Sequence, residues 1–470
     1  MPTPRISFLP PALAVLTLIA PGQAPSVARP PGGEDLAAMY RDTAERILDA
    51  AMKDEEGWEK LTWLTTVIGN RLSGSERLEQ AIDWAIERMR AEGFDQVVRQ
   101  PVKVPHWVRG EEGAWVIEPS PRRLPMLGLG GSVGTSEDGV VAEVVTVASF
   151  DELDALPRSA VEGRIVVFAV PWEGYGRTVR YRSSGASRAA AKGARGVLVR
   201  SATGRSLATP HTGALRYADD QPKVPAAAIT LEDAEWFARM ERLGRPVVVR
   251  LEMGARTLPD ADSANVIAEI RGSERPDEVV VMGGHYDSWD VGQGAHDDGA
   301  ACIAAWQALK LLKNLGLRPK RTLRVVLWTN EENGLAGGTG YRDWIGDGVK
   351  RHVAAIEMDG GAERPVGFGL GIDPAAMELA LARLRPIGAL LERIEAGEIT
   401  GGGGGADIGP LMREGVPGLA LRTTGEHYFD WHHTDADTLD KVEPENLRRA
   451  TGMLAVMGFV LADMEGTLGG

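Results

Sequence analysis

The sequence predicts an α/β sandwich around one sheet, interrupted by a second, strand-rich module. Three observations carry this. From Ser263 onward, buried apolar runs of strand length alternate with helical patterns. Between about Ala114 and Arg256 the character changes to many short Val-rich runs. At 470 residues the chain also exceeds what one hydrophobic core ordinarily holds.

The N-terminus carries Arg5, then the mostly apolar run Ile6 to Ala20 and the small-residue stretch Pro21-Gly22-Gln23-Ala24. That order of charge, apolar run and cleavage zone reads as an export signal over residues 1–24, and so as a secreted or periplasmic protein. A Pro-rich tail is the bland reading of the same residues, and the apolar run is too short for a membrane span. Leu36 to Met52 has the period of an amphipathic helix, with Leu36, Met39, Tyr40, Ala44, Ile47 and Leu48 on one face. A second helix follows Ser73-Gly74-Ser75, with Leu78, Ile82, Ala85 and Met89 in register and Gly93 past its end. Val97-Val98 and Val102–Val104 are extended.

Within the strand-rich module, Val140-Val141, Val144–Val147, Ile165–Val170, Val197–Arg200 and Val247–Leu251 are strands, and Ser187 to Lys192 is a helix. Trp172, Tyr175, Tyr181 and the stretch Arg177 to Arg182 either line a cleft or serve surface and core, the second reading being favoured. Beyond it, Glu278–Met282, Thr322–Thr329, Val353–Met358 and Gly418–Leu421 are strands. Asp298 to Asn314 and Asn446 to Met464 are helices. There is no internal repeat. The one low-complexity tract, Gly401 to Gly405, reads as a flexible loop.

A net charge of −14 argues against nucleic acid and anionic membrane as partners. The single cysteine, Cys302, excludes an internal disulfide and sits in an apolar helical run as a packed small hydrophobe.

The chemistry concentrates where strands end. Gly283-Gly284-His285-Tyr286-Asp287 and Ala295-His296-Asp297-Asp298-Gly299 are followed by Asn330-Glu331-Glu332, Met358-Asp359-Gly360 and the run His432 to Thr438. Imidazole and carboxylate without thiolate is a donor set for a hard-to-borderline divalent ion, and there are enough donors for two ions sharing one carboxylate. Carboxyl ends of strands are where such sheets place their sites. Taken singly, each residue has a bland reading: Asp-Gly as a turn, Glu-Glu as a solvated face, a lone His as a satisfied core residue. The ordered recurrence after successive strands is what points to a metal centre.

These motifs, with Gly69-Asn70-Arg71-Leu72-Ser73-Gly74-Ser75, Val104-Pro105-His106-Trp107, Leu315 to Arg324, Ala420 to Thr438 and Val460 to Glu465, resemble the two-zinc aminopeptidase and glutamate-carboxypeptidase family over nearly the whole chain after the signal. The resemblance implies a three-layer α/β/α sandwich around a mixed sheet. It divides the chain into residues 25–113 and 257–470 of the peptidase domain, with a protease-associated domain inserted at 114–256. It also implies two zinc ions: His285 and Asp359 on one, Glu332 and His433 on the other, Asp297 bridging, and Glu331 as general base. His432 occupies a place where many relatives carry a tyrosine that polarises the scissile carbonyl, so it is assigned to the oxyanion.

Asp287 is expected to accept the second ring proton of His285, and Asp298 to support or cap rather than to ligate. From an extended segment Glu331 and Glu332 point opposite ways, so one binds metal while the other faces water. Glu357 is the alternative to Asp359, and Asp407 is either a residue near the pocket or a loop cap. The implied function is that of an exopeptidase acting on short peptides or dipeptides with free termini, with a homodimer as its assembly. A catalytically inactive receptor-like relative and a one-zinc glutaminyl cyclase-like transferase are the rival readings.

Overall fold

The computed structural model describes residues 33–205 and 207–469; the export signal assigned to residues 1–24 lies outside the described residues. The main sheet has eight strands. Their order is Gln96–Val108, Arg256–Ile270, Arg321–Trp328, Arg275–His285, His352–Glu357, Gly418–Thr423, Pro365–Gly371 and Glu398–Gly401. Its four central strands, Arg321–Trp328 through Gly418–Thr423, run parallel, and antiparallel pairings flank them. The sheet is therefore mixed.

Side-chain alternation sorts these strands onto two faces. Val280, Met282, Leu323, Val325, Leu327 and Ile356 join one large core with the helices Ala300–Asn314 and Pro444–Asp463. Val279, Val281, Val326, Trp328 and Ala355 face the other way, against Tyr341 of the helix Ala336–Ile345 and Leu411. Both faces are covered, which is why these strands read as unbroken apolar runs. The layers are α/β/α, as the resemblance implied. Helix Ala300–Asn314 is buried nearly all round, which explains its lack of a polar face. Cys302 lies within it, fully buried, its thiol donating to the His285 carbonyl at 3.1 Å.

A second mixed sheet of eight strands is formed within Glu112–Met253, and the helices Tyr175–Ala191 and Leu231–Arg242 are formed there too. It has two apolar clusters, one around Val249 and Phe237 that continues into Leu72, Trp107, Trp289 and Val291 outside the module, the other around Phe168 and Val197.

Three local expectations need correction. The helix read as Ser187 to Lys192 begins at Tyr175, so the aromatic and Arg-rich stretch is its first half. The helix read from Asp298 begins at Ala300. Asp297 and Asp298 precede it in non-helical conformations, so Asp298 is not its cap. The glycine tract is packed rather than free: a Cβ on Gly405 would meet the Glu357 carboxyl at 2.1 Å, so the backbone approaches that acid as only glycine permits.

Candidate metal centre

The central parallel strands end on one edge of the sheet, and the candidate donors hang there. His285 is the last residue of its strand; Glu331 and Glu332 follow Arg321–Trp328, Asp359 follows His352–Glu357, and His432 and His433 follow the short helix Tyr428–Trp431. Asp297 is offered by the turn between strand Arg275–His285 and helix Ala300–Asn314.

Asp297 stands at the middle. Its Oδ1 lies 3.0 Å from His285 Nε2, which is itself 3.7 Å from Asp359 Oδ1. Its Oδ2 lies 3.3 Å from His433 Nε2, which is 3.0 Å from Glu332 Oε2. Ligand atoms of His285, Asp297 and Asp359 fall within 4.8 Å of one another, and so do those of Asp297, His432 and His433. His432 Nε2 is 3.7 Å from Asp297 Oδ2, and its ring stacks on His433 at 3.5 Å. Glu332 and His432 thus compete for the second position. Glu357 is held elsewhere, accepting the Ile408 N–H at 2.8 Å, which leaves Asp359 as the acid beside His285. Asp407 is buried close to Glu357, with no hydrogen-bond partner for either carboxylate oxygen among the described residues.

Charge at this centre is unbalanced. Asp287, Asp297, Asp298, Glu331, Glu332 and Asp359 gather around three imidazoles. Burial alone would raise Asp297, but the imidazoles of His285 and His433 outweigh it and hold its carboxyl well below the ordinary range. Burial pushes Glu332 up to about 7 and carries Glu331 well above the usual carboxylate range, neighbouring acids adding to the effect. Burial works against charge on His285 and His433, yet the acids around them win and raise both. His432 goes the other way, held low by burial and by His433. Asp297 Oδ2 and Glu332 Oε1 receive no aligned hydrogen bond among the described residues. Carboxylates collected at such depth require cations to offset their desolvation, and the oxygen and imidazole donors suit zinc.

The carboxylate of Asp287 does something other than expected. His285 Nδ1 meets the backbone carbonyl of Asp287 at 3.0 Å, while the carboxylate stands at 3.8 Å. Its oxygens accept instead from the N–H groups of Glu331 at 3.0 Å and Glu332 at 3.3 Å and from the Ser73 hydroxyl at 3.2 Å. Asp287 therefore orients the Glu-Glu turn, and a main-chain oxygen receives the ring proton.

Mouse carboxypeptidase Q is 42% identical over 91% of this chain and 91% of its own length. The chain belongs to peptidase family M28. That family's profile matches residues 265–457, which hold every donor named above. The crystal structure of a peptidase M28 precursor from Shewanella amazonensis superposes with a TM-score of 0.87 at 35% identity, covering 92% of this chain and 98% of that one. A zinc aminopeptidase from Bacillus subtilis has the same fold, with a TM-score of 0.66 at 18% identity over 88% of this chain and 96% of that one. As a member of M28 the protein is a zinc metallopeptidase.

Within this M28 site several residues act without having been singled out for a role from sequence. Arg71 is fully buried and donates to the carbonyls of Gly69, Tyr286, Gln293 and Gly294, lashing together the loops on either side of His285 and Asp297. Asp437 accepts the N–H groups of Ala295 at 3.0 Å, His296 at 2.7 Å and Asp297 at 3.2 Å, and so aims the Asp297 turn. Both lie inside motifs that carry the resemblance, which was the available signal. Tyr175 and Arg182, favoured as surface or core, line the cleft over the donors together with Tyr428 and Phe429. Seven residues apart, they share a helix face, while Tyr181 turns into the module's core against Phe150 and Phe168.

Proposed function

We propose that this chain is an exopeptidase with two zinc ions, acting on short peptides or dipeptides with free termini. The observation that carries this reading is Asp297: one carboxylate with each oxygen turned toward a separate histidine–acid pair. His285 and Asp359 would hold one ion, His433 and Glu332 the other, with Asp297 shared. Bound zinc supplies Lewis acidity toward a carbonyl and toward water. The protein's residues do the rest. Glu331, in the cleft with its backbone N–H fixed by Asp287, takes the proton of the attacking water and delivers it to the leaving amine. His432, also in the cleft, faces the carbonyl oxygen as charge develops there. We infer further that Glu112–Met253 corresponds to a protease-associated module roofing this site.

The cleft has a volume of about 450 Å³, a size for a small ligand. Tyr175 and Phe429 stack 4.9 Å apart along it, and the exposed Arg216 lines it as a partner for a terminal carboxylate. A free dipeptide should be cleaved, and its C-amidated form should be about 10–100-fold slower for loss of one charge-assisted contact. The N-acetylated form, run beside it, reports on recognition of the free amine. Equal rates for all three, or internal cleavage of a long peptide, would defeat the exopeptidase reading.

Export belongs to the same proposal and rests on the residue pattern of positions 5–24. Among the described residues no helix is long and apolar enough to cross a membrane. Intact mass of the protein from its native host should place the mature start between about Ala20 and Pro31; a soluble chain retaining Met1 would refute it. Dimer formation, supported by resemblance alone, is read from the mass in solution.

A further inference from the structure

We infer that the loop at Thr212-Gly213, held by Arg182, fixes the ring of His433 for metal binding, so that the second module completes the metal centre. The inference rests on the two-ion reading above. His433 has a left-handed backbone, φ 63°, an uncommon conformation for a residue with a side chain. Its carbonyl is held there by the Thr212 N–H at 2.9 Å. Its ring Nδ1 faces the Thr212 carbonyl at 3.3 Å and Arg182 Nη1 at 3.3 Å. A guanidinium only donates. Among the described residues the Thr212 oxygen is therefore the sole acceptor for a proton on Nδ1. With the proton there, Nε2 keeps its lone pair and turns it toward Glu332 and Asp297, as a ligand must.

Arg182 secures that oxygen. Its Nη1 donates to the Thr212 carbonyl at 3.1 Å, and its Nη2 donates to the Tyr175 hydroxyl at 2.8 Å. The Thr212 hydroxyl donates to the Gly128 carbonyl at 2.6 Å, tying the loop to its own module. Gly213, φ 138°, is what admits the guanidinium: a Cβ there would lie 2.2 Å from the Arg182 Cζ. Among the described residues nothing comparable joins this module to His285, whose Nδ1 is served by the Asp287 carbonyl within the main domain. The device acts on one side of Asp297 only. Thr212, Gly213 and Arg182 are positioning residues.

The test compares Arg182→Met and Gly213→Ala with wild type and with Arg188→Met, an exposed arginine on the same helix. Zinc bound per chain is measured against a graded competing chelator, and folding by circular dichroism. The expected result is that one of two zinc ions is held about 10–100-fold more weakly in Arg182→Met and Gly213→Ala, with the other unchanged. Arg188→Met should match wild type, and Arg182→Lys, which keeps a donor for the Thr212 oxygen, should recover part of the loss. If Gly213→Ala does not fold, Arg182→Met decides alone. Wild type with two ions and a folded Arg182→Met with wild-type affinity at both would overturn this inference while leaving the two-ion reading intact. Wild type with fewer than two would overturn that reading, and this inference with it.

Discussion

Glu331→Gln is expected to keep its zinc and to lose turnover by about 10²–10⁴-fold, the range associated with removing a general base. The amide preserves the shape of the side chain. The turn that carries it is held through the backbone, by the N–H contacts of Glu331 and Glu332 with Asp287, so the substitution leaves the neighbouring metal donors in place. What disappears is the ability to take a proton. Zinc content and kcat measured on one preparation separate the two effects. Activity at the wild-type level would remove Glu331 from the base position, and loss of zinc would make it a ligand.

The fold was legible wherever one physical signal dominated. The central strands showed as apolar runs because helices cover both faces, and the edge that carries His285, Glu332 and Asp359 followed from where those runs stop. The readings that failed depend on contacts distant in sequence. Tyr175 and Arg182 are ordinary helix-face residues until the fold sets them over His432 and His433, some 250 positions along the chain. Whether the Asp287 carboxylate or its own carbonyl meets His285 depends on how the Glu331 turn closes, which no spacing encodes. Gly405 reads as slack chain because its partner, the Glu357 carboxyl, lies far off in sequence at the end of strand His352–Glu357. Arg71 gave no charge-pair signal either, since the groups it serves are main-chain carbonyls.

Asp297→Ala should have the widest effect on the metal centre, because among the described residues Asp297 is the one donor that faces both histidine–acid pairs. His285→Ala and His433→Ala each remove the donor of one side, so each is expected to retain about one zinc per chain where wild type retains about two. Asp297→Ala should retain neither under the same dialysis. Turnover should fall by at least about 10³-fold, since polarisation of the carbonyl and acidification of water contribute several kcal/mol that vanish with the metal. Folding responds as well. Without metal, the imidazoles of His285 and His433 hold the Asp297 carboxyl well below the ordinary range, so its removal takes away their partner and should also lower the Tm of the metal-free protein. Wild type should gain thermal stability as zinc is added, because only the folded state binds it, whereas Asp297→Ala should show almost no such gain. A variant that still binds two zinc ions, or whose Tm climbs with zinc as steeply as wild type, would show that the carboxylate is not shared, and the two sites would then have to be built from His285 and His433 with separate acids.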